Sequence, residues 1–528
     1  MNLALSLLPI VLLIYLMVKK NAMPSYKALP LIAVLVFGLQ WLYFKASFVS
    51  LSANIVAGLM ATLTPITVIF GAILFNRMME ETGCTNQIRR WLSSISPNPV
   101  AQLMIIGWAF AFMIEGASGF GTPAAIAAPI LVGLGFNPFK VAVFALVMNS
   151  VPVSFGAVGT PTWFGFSELI KSGALDTASI LEIGRQTAIM HFIAGFIIPL
   201  IALRFITTWE DIKKNLTFIY ISILSCTVPY VILAQFNYEF PSLIAGGVGL
   251  WISVVVANAG IGLDKGHGEK AVAMPKAEVV KALLPLIMLM VILIVTRIHQ
   301  LGLKGLLNDA TPMVTTSLGF ADLEISRALI VSVKNIFGAG VSESYKTLYV
   351  PALIPFVVTV VLAFAYYGIN PERRRTTWKS ALMQTRNPFI ALMGALIMVK
   401  LMMAGGEASM VKTIGKGFAE IAKDNWIYYA SYLGAIGAFF SGSNTVSNLT
   451  FGSIQYEIAQ STGLKTTTVL AAQSVGGAMG NMVCINNIVA VCSVLNVKNS
   501  EGSILRLTII PMTIYGIIAA IVISLFWL

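Results

Sequence analysis

EGASGFGTP, residues 115 to 123, interrupts an apolar run over about 100–134, and SGSNT, residues 441 to 445, interrupts a second over about 426–462. Glycine, serine, threonine and proline cannot continue a helix in lipid unless the freed backbone groups meet protein, water or a solute, so a break of this kind normally lines a cavity. Two such breaks in corresponding halves of one chain point to a secondary transporter with its binding site near the bilayer midplane.

The rest of the chain agrees with that reading. Of 528 residues 57% are hydrophobic and 11% charged, and apolar runs near 20 residues recur throughout, which excludes a soluble protein. The fold expected is all-α and polytopic, with about 12 transmembrane helices plus two re-entrant hairpins in an inverted repeat. The spans fall near 3–18, 28–44, 53–76, 137–158, 186–206, 216–236, 240–258, 280–298, 347–369, 386–405, 466–495 and 504–527. The two broken segments are left over, each long enough to enter the membrane and return, or to form a pair of full spans. Leu3 to Val18 has no preceding basic region and no small-residue cleavage site, and reads as a retained span. Cys84, Cys226, Cys484 and Cys492 lie in or beside apolar segments without disulfide or zinc spacing, so they read as packing residues. No metal, cofactor or catalytic group is expected.

The net charge of +12 comes from short basic clusters between spans rather than a patch for nucleic acid, which is excluded as a partner. With the N-terminus outside, the inner loops hold 21 of the 34 lysines and arginines, among them Arg373, Arg374 and Arg375, so both termini are expected to face outward. The 299–346 stretch is then an outer loop.

An internal repeat is visible letter by letter. Pro65 and Gly71-Ala72-Ile73-Leu74-Phe75-Asn76-Arg77 match Pro388 and Gly394-Ala395-Leu396-Ile397-Met398-Val399-Lys400; Asn149-Ser150-Val151 with Gly156 match Gln473-Ser474-Val475 with Gly480. An odd number of spans separates the copies, so they insert in opposite senses. The first copy is expected over 1–258, the second over 280–528, joined by a polar, lysine-rich cytoplasmic linker at 259–279.

FMIEGASGFGTPAAIAAPILVGLGFNP, continuing through MNSVPVSFGAVGTPTWFG, resembles the most recognisable segment of the L-lactate permease family, and the likeness spans nearly the whole chain. The resemblance implies uptake of L-lactate, and of D-lactate and glycolate, driven by a proton gradient across the bacterial inner membrane. Ser443-Asn444-Thr445 also resembles the SNT signature of dicarboxylate/sodium symporters in the wider ion transporter superfamily, whose hairpin tips hold the carboxylate and the cation. The partners implied are the monocarboxylate, protons and the lipid bilayer, with a homodimer left open.

The chemistry can also be argued from the residues. A small carboxylate entering a low-dielectric site loses its hydration and must be met by backbone N–H groups at half-helix starts, by hydroxyls or by a cation. Ser118, Thr122, Ser441, Ser443, Asn444 and Thr445 supply donors at the breaks, and the backbone of Gly116, Ala117, Gly119, Gly121 and Gly442 allows close approach. The plainer role for such residues is close helix packing, which their occurrence in both copies disfavours for the set. Glu115 stands alone in an apolar context; buried carboxylates stay neutral unless a cation or proton compensates, so it is the leading proton-coupling residue, against a plain hydrogen-bonding role. Arg77 and Lys400, equivalent by the repeat, either attract the anion from the two sides or snorkel to the interface. Asn149, Gln473 and Ser474 lie mid-helix and bond either substrate or the opposing hairpin. His191, alone in an apolar helix, is a second proton-coupling candidate whose plainer role is helix–helix bonding, and Asn481, Asn486 and Asn487 are secondary lining candidates.

Three rivals can be weighed. An intramembrane serine protease on Ser118 and His191 is disfavoured because the chain is duplicated and Ser443 has no histidine candidate. A channel would need a repeated selectivity filter. A symporter of another small carboxylate, or sodium coupling, is the nearer alternative.

Overall fold

A computed structural model describes residues 2–19, 23–119, 122–264, 274–297, 301–350, 352–497 and 500–527, without the side chains of Val18, Thr122, Ala125, Ala352, Glu407 and Phe440. Gly121 and residues 265–273 of the expected linker lie outside the described residues. The chain forms two compact units, Met1–Thr85 with Lys281–Gly417 and Asn86–Val280 with Phe418–Leu528. Each unit draws one stretch from each half of the chain, so the units cut across the two repeats read from the sequence.

Among the described residues, seven of the expected spans are single helices long and apolar enough to cross a membrane, and an eighth such helix is the first arm of the first hairpin, Pro99–Ser118. Three more are bent pairs: Pro138–Met148 with Val151–Lys171, Thr177–Ala194 with Ile198–Ile206, and Thr466–Val483 with Ile485–Val494. The remaining two are shorter apolar helices, Asn2–Met17 and Leu353–Tyr366.

In the first unit the longest helices are Phe48–Glu81 and Pro371–Met403, with Pro65 and Pro388 at matching positions. They run antiparallel: a Cβ on Gly58 would come within 2.9 Å of Ile397, and the rings of Phe70 and Trp378 are 5.8 Å apart. The stretch expected as an outer loop holds a four-stranded antiparallel meander, β1 (Pro312–Ser317), β2 (Asp322–Ser326), β3 (Ile330–Ile336) and β4 (Val341–Lys346), in that order. Its sequence carries the period-two alternation and glycine turns of a meander (IVSVKNI, VSESYK, with Gly319, Gly338 and Gly340 at positive φ), a signal that counting loop charge alone passes over. Ala321, Val333 and Ile336 of the sheet pack on Ala53 and Ala57 of the 48–81 helix.

In the second unit, Asn98 caps the start of the first hairpin, its side chain accepting from the N–H groups of Val100 and Ala101 at 2.9 and 3.2 Å with Pro99 next in line. The first arm, π-helical over Leu103–Phe110, runs to Ser118, and the second, Thr122–Gly133, folds back along it. Asn137 and Pro138 start the next helix by the same device. The second hairpin has arms Trp426–Ser441 and Asn444–Thr462 packed side by side. Its first arm locks against the Thr466–Gly480 helix through Gly476 and Gly480, where a Cβ would run into Ser431 and Ala435 backbone.

The expected continuous span at 137–158 is corrected by the structure. The helix stops at Met148, continues as a short 3₁₀ turn over Val151–Phe155, and then takes left-handed backbone at Ala157, Val158 and Gly159 (φ 45, 57 and 70°). Positive φ is rare for a β-branched residue such as Val158. The carbonyls freed by this unwinding are taken up by side chains from neighbouring elements: Val151 C=O by Tyr230 at 3.1 Å, Pro152 C=O by Ser242 at 2.6 Å and Ser154 C=O by Thr162 at 2.8 Å.

Candidate functional site

Both hairpin tips and the unwound segment converge on one cavity inside the second unit. Its lining is Glu115 and Gly119 from the first hairpin, Gly442, Ser443, Asn444 and Thr445 from the second, Val153, Gly156, Ala157 and Pro161 from the unwound stretch, and Asn481 from the bend after the 466–480 helix. The space is about 20 Å³, enough for a water and too small for a three-carbon acid in this conformation.

The second tip is two helix ends joined by a minimal turn. Gly442, at φ 72° and ψ 18°, closes the first arm with its N–H on Ala438 C=O at 2.8 Å, and Ser443 caps the second, its hydroxyl accepting from Val446 N–H at 3.3 Å. The N-terminal end of the second arm, with Asn444 and Thr445 in its first turn, therefore faces the cavity and favours negative charge there.

The first tip is built on Gly119, whose φ 59° and ψ −155° is a combination open to glycine alone. One turn earlier sits Glu115, 2% exposed, accepting from Asn149 Nδ2 at 3.2 Å on one oxygen while the other lies against Gly156, where a Cβ would collide with it. Gly156 thus makes room for the carboxyl, and the adjoining left-handed turn closes over Gly119, where a Cβ would come 2.9 Å from Ala157 Cβ.

Behind the second tip runs a buried polar chain. Asn444 Nδ2 donates to Ser154 Oγ at 3.3 Å and to Ser474 C=O at 3.0 Å; Ser154 Oγ meets His191 Nε2 at 2.8 Å; and His191 Nδ1 is hydrogen bonded to the Tyr515 hydroxyl. A second cluster lies between the second arm and the Thr466–Gly480 helix, where Gln473 Nε2 donates to Ser447 Oγ at 3.0 Å and its carbonyl accepts from Gln455 at 2.9 Å.

Of the residues singled out from sequence, the structure brings Glu115, Gly119, Gly442, Ser443, Asn444, Thr445 and the secondary candidate Asn481 to the cavity, and sets Asn149 and Ser474 one hydrogen bond behind it. The others have different occupations. Gly116 faces helix Pro241–Asn258, where a Cβ would strike Leu243 backbone, so it serves close packing. Ala117 is buried beside it, Ser118 returns its hydroxyl to Ile114 C=O at 3.0 Å, and Ser441 bonds Gly437 C=O at 2.7 Å. Gln473 bonds the hairpin rather than the cavity. Arg77 and Lys400 belong to the first unit, where Arg77 pairs with Glu80 at 2.7 Å and Lys400 with Glu343 of β4 at 3.0 Å, the latter pair 9% and 1% exposed. Ser118 and His191 make no nucleophile–base contact; His191 is held by Ser154 and Tyr515. Val153, Ser154, Gly156, Ala157, Pro161 and Tyr515 were not anticipated as site residues. The signal for most of them is the Pro- and Gly-rich run PVSFGAVGTP, which marks a break as plainly as the hairpin tips do.

Long apolar helices, broken at several points around one internal cavity lined by backbone turns, amides and a single acid, define a multi-pass membrane transport protein. Comparison with known sequences makes the assignment specific. The chain belongs to the L-lactate permease family, whose sequence model matches residues 2–528. It is 64% identical over 519 residues to the "Putative L-lactate permease" of Haemophilus influenzae, covering 98% of this chain and 97% of that protein. It is 24% identical to the L-lactate permease of Escherichia coli (98% and 94% covered) and 21% identical to the glycolate permease GlcA of the same organism (86% and 83% covered).

Proposed function

We propose that this protein imports L-lactate, together with D-lactate and glycolate, across the bacterial inner membrane by proton symport, with both termini outside and the two halves, 1–258 and 280–528, inserted as inverted repeats. The observation that carries the reading is that a helix N-terminus with Asn444 and Thr445 shares one cavity with the lone carboxyl of Glu115. The first supports an anion; the second supports its charge compensation. A monocarboxylate carries one negative charge, so entry with one proton is electroneutral, and a carboxyl that takes its proton before the anion arrives avoids burying two negative charges side by side. The relatives named for lactate and glycolate support the substrate class.

A second reading, sodium in place of the proton, is favoured by one observation: the amide oxygens of Asn444 and Asn481 are buried without a hydrogen-bond partner among the described residues. Purified protein in proteoliposomes separates the two. An inward proton gradient in sodium-free buffer is expected to concentrate labelled L-lactate, with D-lactate and glycolate competing. Accumulation that follows only a sodium gradient would move the coupling to sodium, and absence of lactate counterflow under every gradient would remove lactate as the substrate.

A further inference from the structure

The polar chain behind the second tip has no part in the transport reading so far, and its geometry is specific. Ser154 lies in the 3₁₀ turn Val151–Phe155, whose carbonyls at 151, 152 and 154 are each held by a side chain from elsewhere, so its Oγ is a fixed point rather than a mobile hydroxyl. Around that oxygen stand three groups besides Asn444 Nδ2: His191 Nε2 at 2.8 Å, and Ser474 Oγ and Ser474 C=O, both at 3.1 Å.

A serine hydroxyl has one proton to give and two lone pairs to receive with. If Ser154 gave its proton to Ser474 C=O, then His191 Nε2–H, Asn444 Nδ2 and Ser474 Oγ would all compete for two lone pairs. If it gives the proton to His191 Nε2, the two lone pairs are filled by Asn444 and Ser474 Oγ and every group around Ser154 is satisfied. The imidazole then accepts through Nε2 and donates through Nδ1–H to the Tyr515 oxygen. Tyr515 of helix Glu501–Phe526 fixes the ring, the ring fixes the Ser154 proton, and Ser154 presents a lone pair to the amide of Asn444 at the cavity wall.

We propose that Ser154, oriented by His191 and Tyr515, is a positioning residue for Asn444, and that this chain sets the affinity of the second hairpin tip for the substrate carboxylate. The inference deepens the transport reading and rests on it. It gives His191 a holding role in place of the proton-carrying one considered from sequence, and it makes Tyr515, 324 residues away in sequence from the histidine it touches, part of the binding apparatus.

The test is lactate exchange in proteoliposomes, measured as half-saturation and maximal rate separately, for wild type, Ser154→Ala, Tyr515→Phe and the double variant. Wild-type exchange is the control on the transport reading: its failure sinks that reading, whereas normal wild-type exchange leaves the positioning claim to stand or fall on the variants. Expected is about a tenfold rise in half-saturation for Ser154→Ala, in keeping with one buried hydrogen bond, about threefold for Tyr515→Phe, and unchanged maximal rates. The double variant should be no worse than Ser154→Ala alone, since Tyr515 acts through Ser154; effects that multiply would mean two independent structural losses and overturn the proposal. Should Ser154→Ala fail to assemble, Tyr515→Phe decides alone, an unchanged half-saturation refuting the chain. His191→Gln adds a separate readout. It should raise half-saturation while still concentrating lactate under a proton gradient, and loss of accumulation with affinity intact would return the proton to His191.

Discussion

The two hairpin tips use one backbone device for different chemical loads. Each ends its first arm on a glycine at positive φ, Gly119 at 59° and Gly442 at 72°, and each starts a second helix within a few residues. At the first tip the neighbouring serine turns back into its own helix and the group presented to the cavity is a carboxyl, Glu115. At the second, Ser441 likewise turns back into its own helix, the serine after the glycine, Ser443, caps the next one, and the groups presented are an amide, a hydroxyl and a helix start. One tip carries a group that can gain or lose a proton, the other only neutral groups. Under the proposed transport reading, this difference between the tips assigns charge compensation to the first and anion binding to the second.

That division can be broken or sharpened by experiment. The largest effect is expected from Glu115→Gln, which imitates a protonated carboxyl: uphill accumulation under a proton gradient should be lost while downhill exchange persists. If the variant still concentrates lactate, the first tip is not where the charge is compensated. Asn444→Ala should weaken half-saturation for lactate about tenfold or more, the cost of one hydrogen bond to a charged group; an equal loss of proton-driven accumulation in this variant at saturating lactate would erase the distinction between the tips. Gly119→Ala places a Cβ 2.9 Å from Ala157 in a backbone region closed to alanine, and should cost about 1–3 kcal/mol in thermal unfolding. Gly442→Ala, in ordinary left-handed backbone with its nearest neighbour at 3.2 Å, should cost less. The smallest effect is expected for Ser443→Ala, about 1 kcal/mol of helix capping, with half-saturation moved less than for Asn444→Ala; a larger transport defect would mean that its hydroxyl leaves the cap to meet the substrate.

Much of this architecture is written where chemistry forces the local sequence to be unusual. Glycine and serine inside an apolar run betray a break, so both tips, Glu115 and Asn444 were legible, as were the long paired helices marked by Pro65 and Pro388. The unwound segment at 149–159 was legible in principle, but its apolar content reads as a continuing helix unless Pro152, Gly156, Gly159 and Pro161 are taken together. Gly116 carries the same letter as Gly119 and a different duty, because a glycine that admits a neighbouring helix and one that turns the chain are indistinguishable until the neighbour is placed. Lys400 and Glu343 lie 57 positions apart, and no local pattern announces that a lysine at a helix end is bound to a strand of a distant sheet. Ser154 and Tyr515 are ordinary residues in apolar surroundings; only the fold makes them partners.

The four cysteines are all buried. Their seclusion gives the molecule a silent thiol background, against which chemical labelling becomes a ruler for sidedness. Thr316 stands exposed on β1, the edge strand of the sheet, so Thr316→Cys supplies one thiol within reach of an impermeant maleimide. Labelling in vesicles of known polarity then reports which face of the membrane carries the sheet, and with it the sense in which the whole chain is threaded.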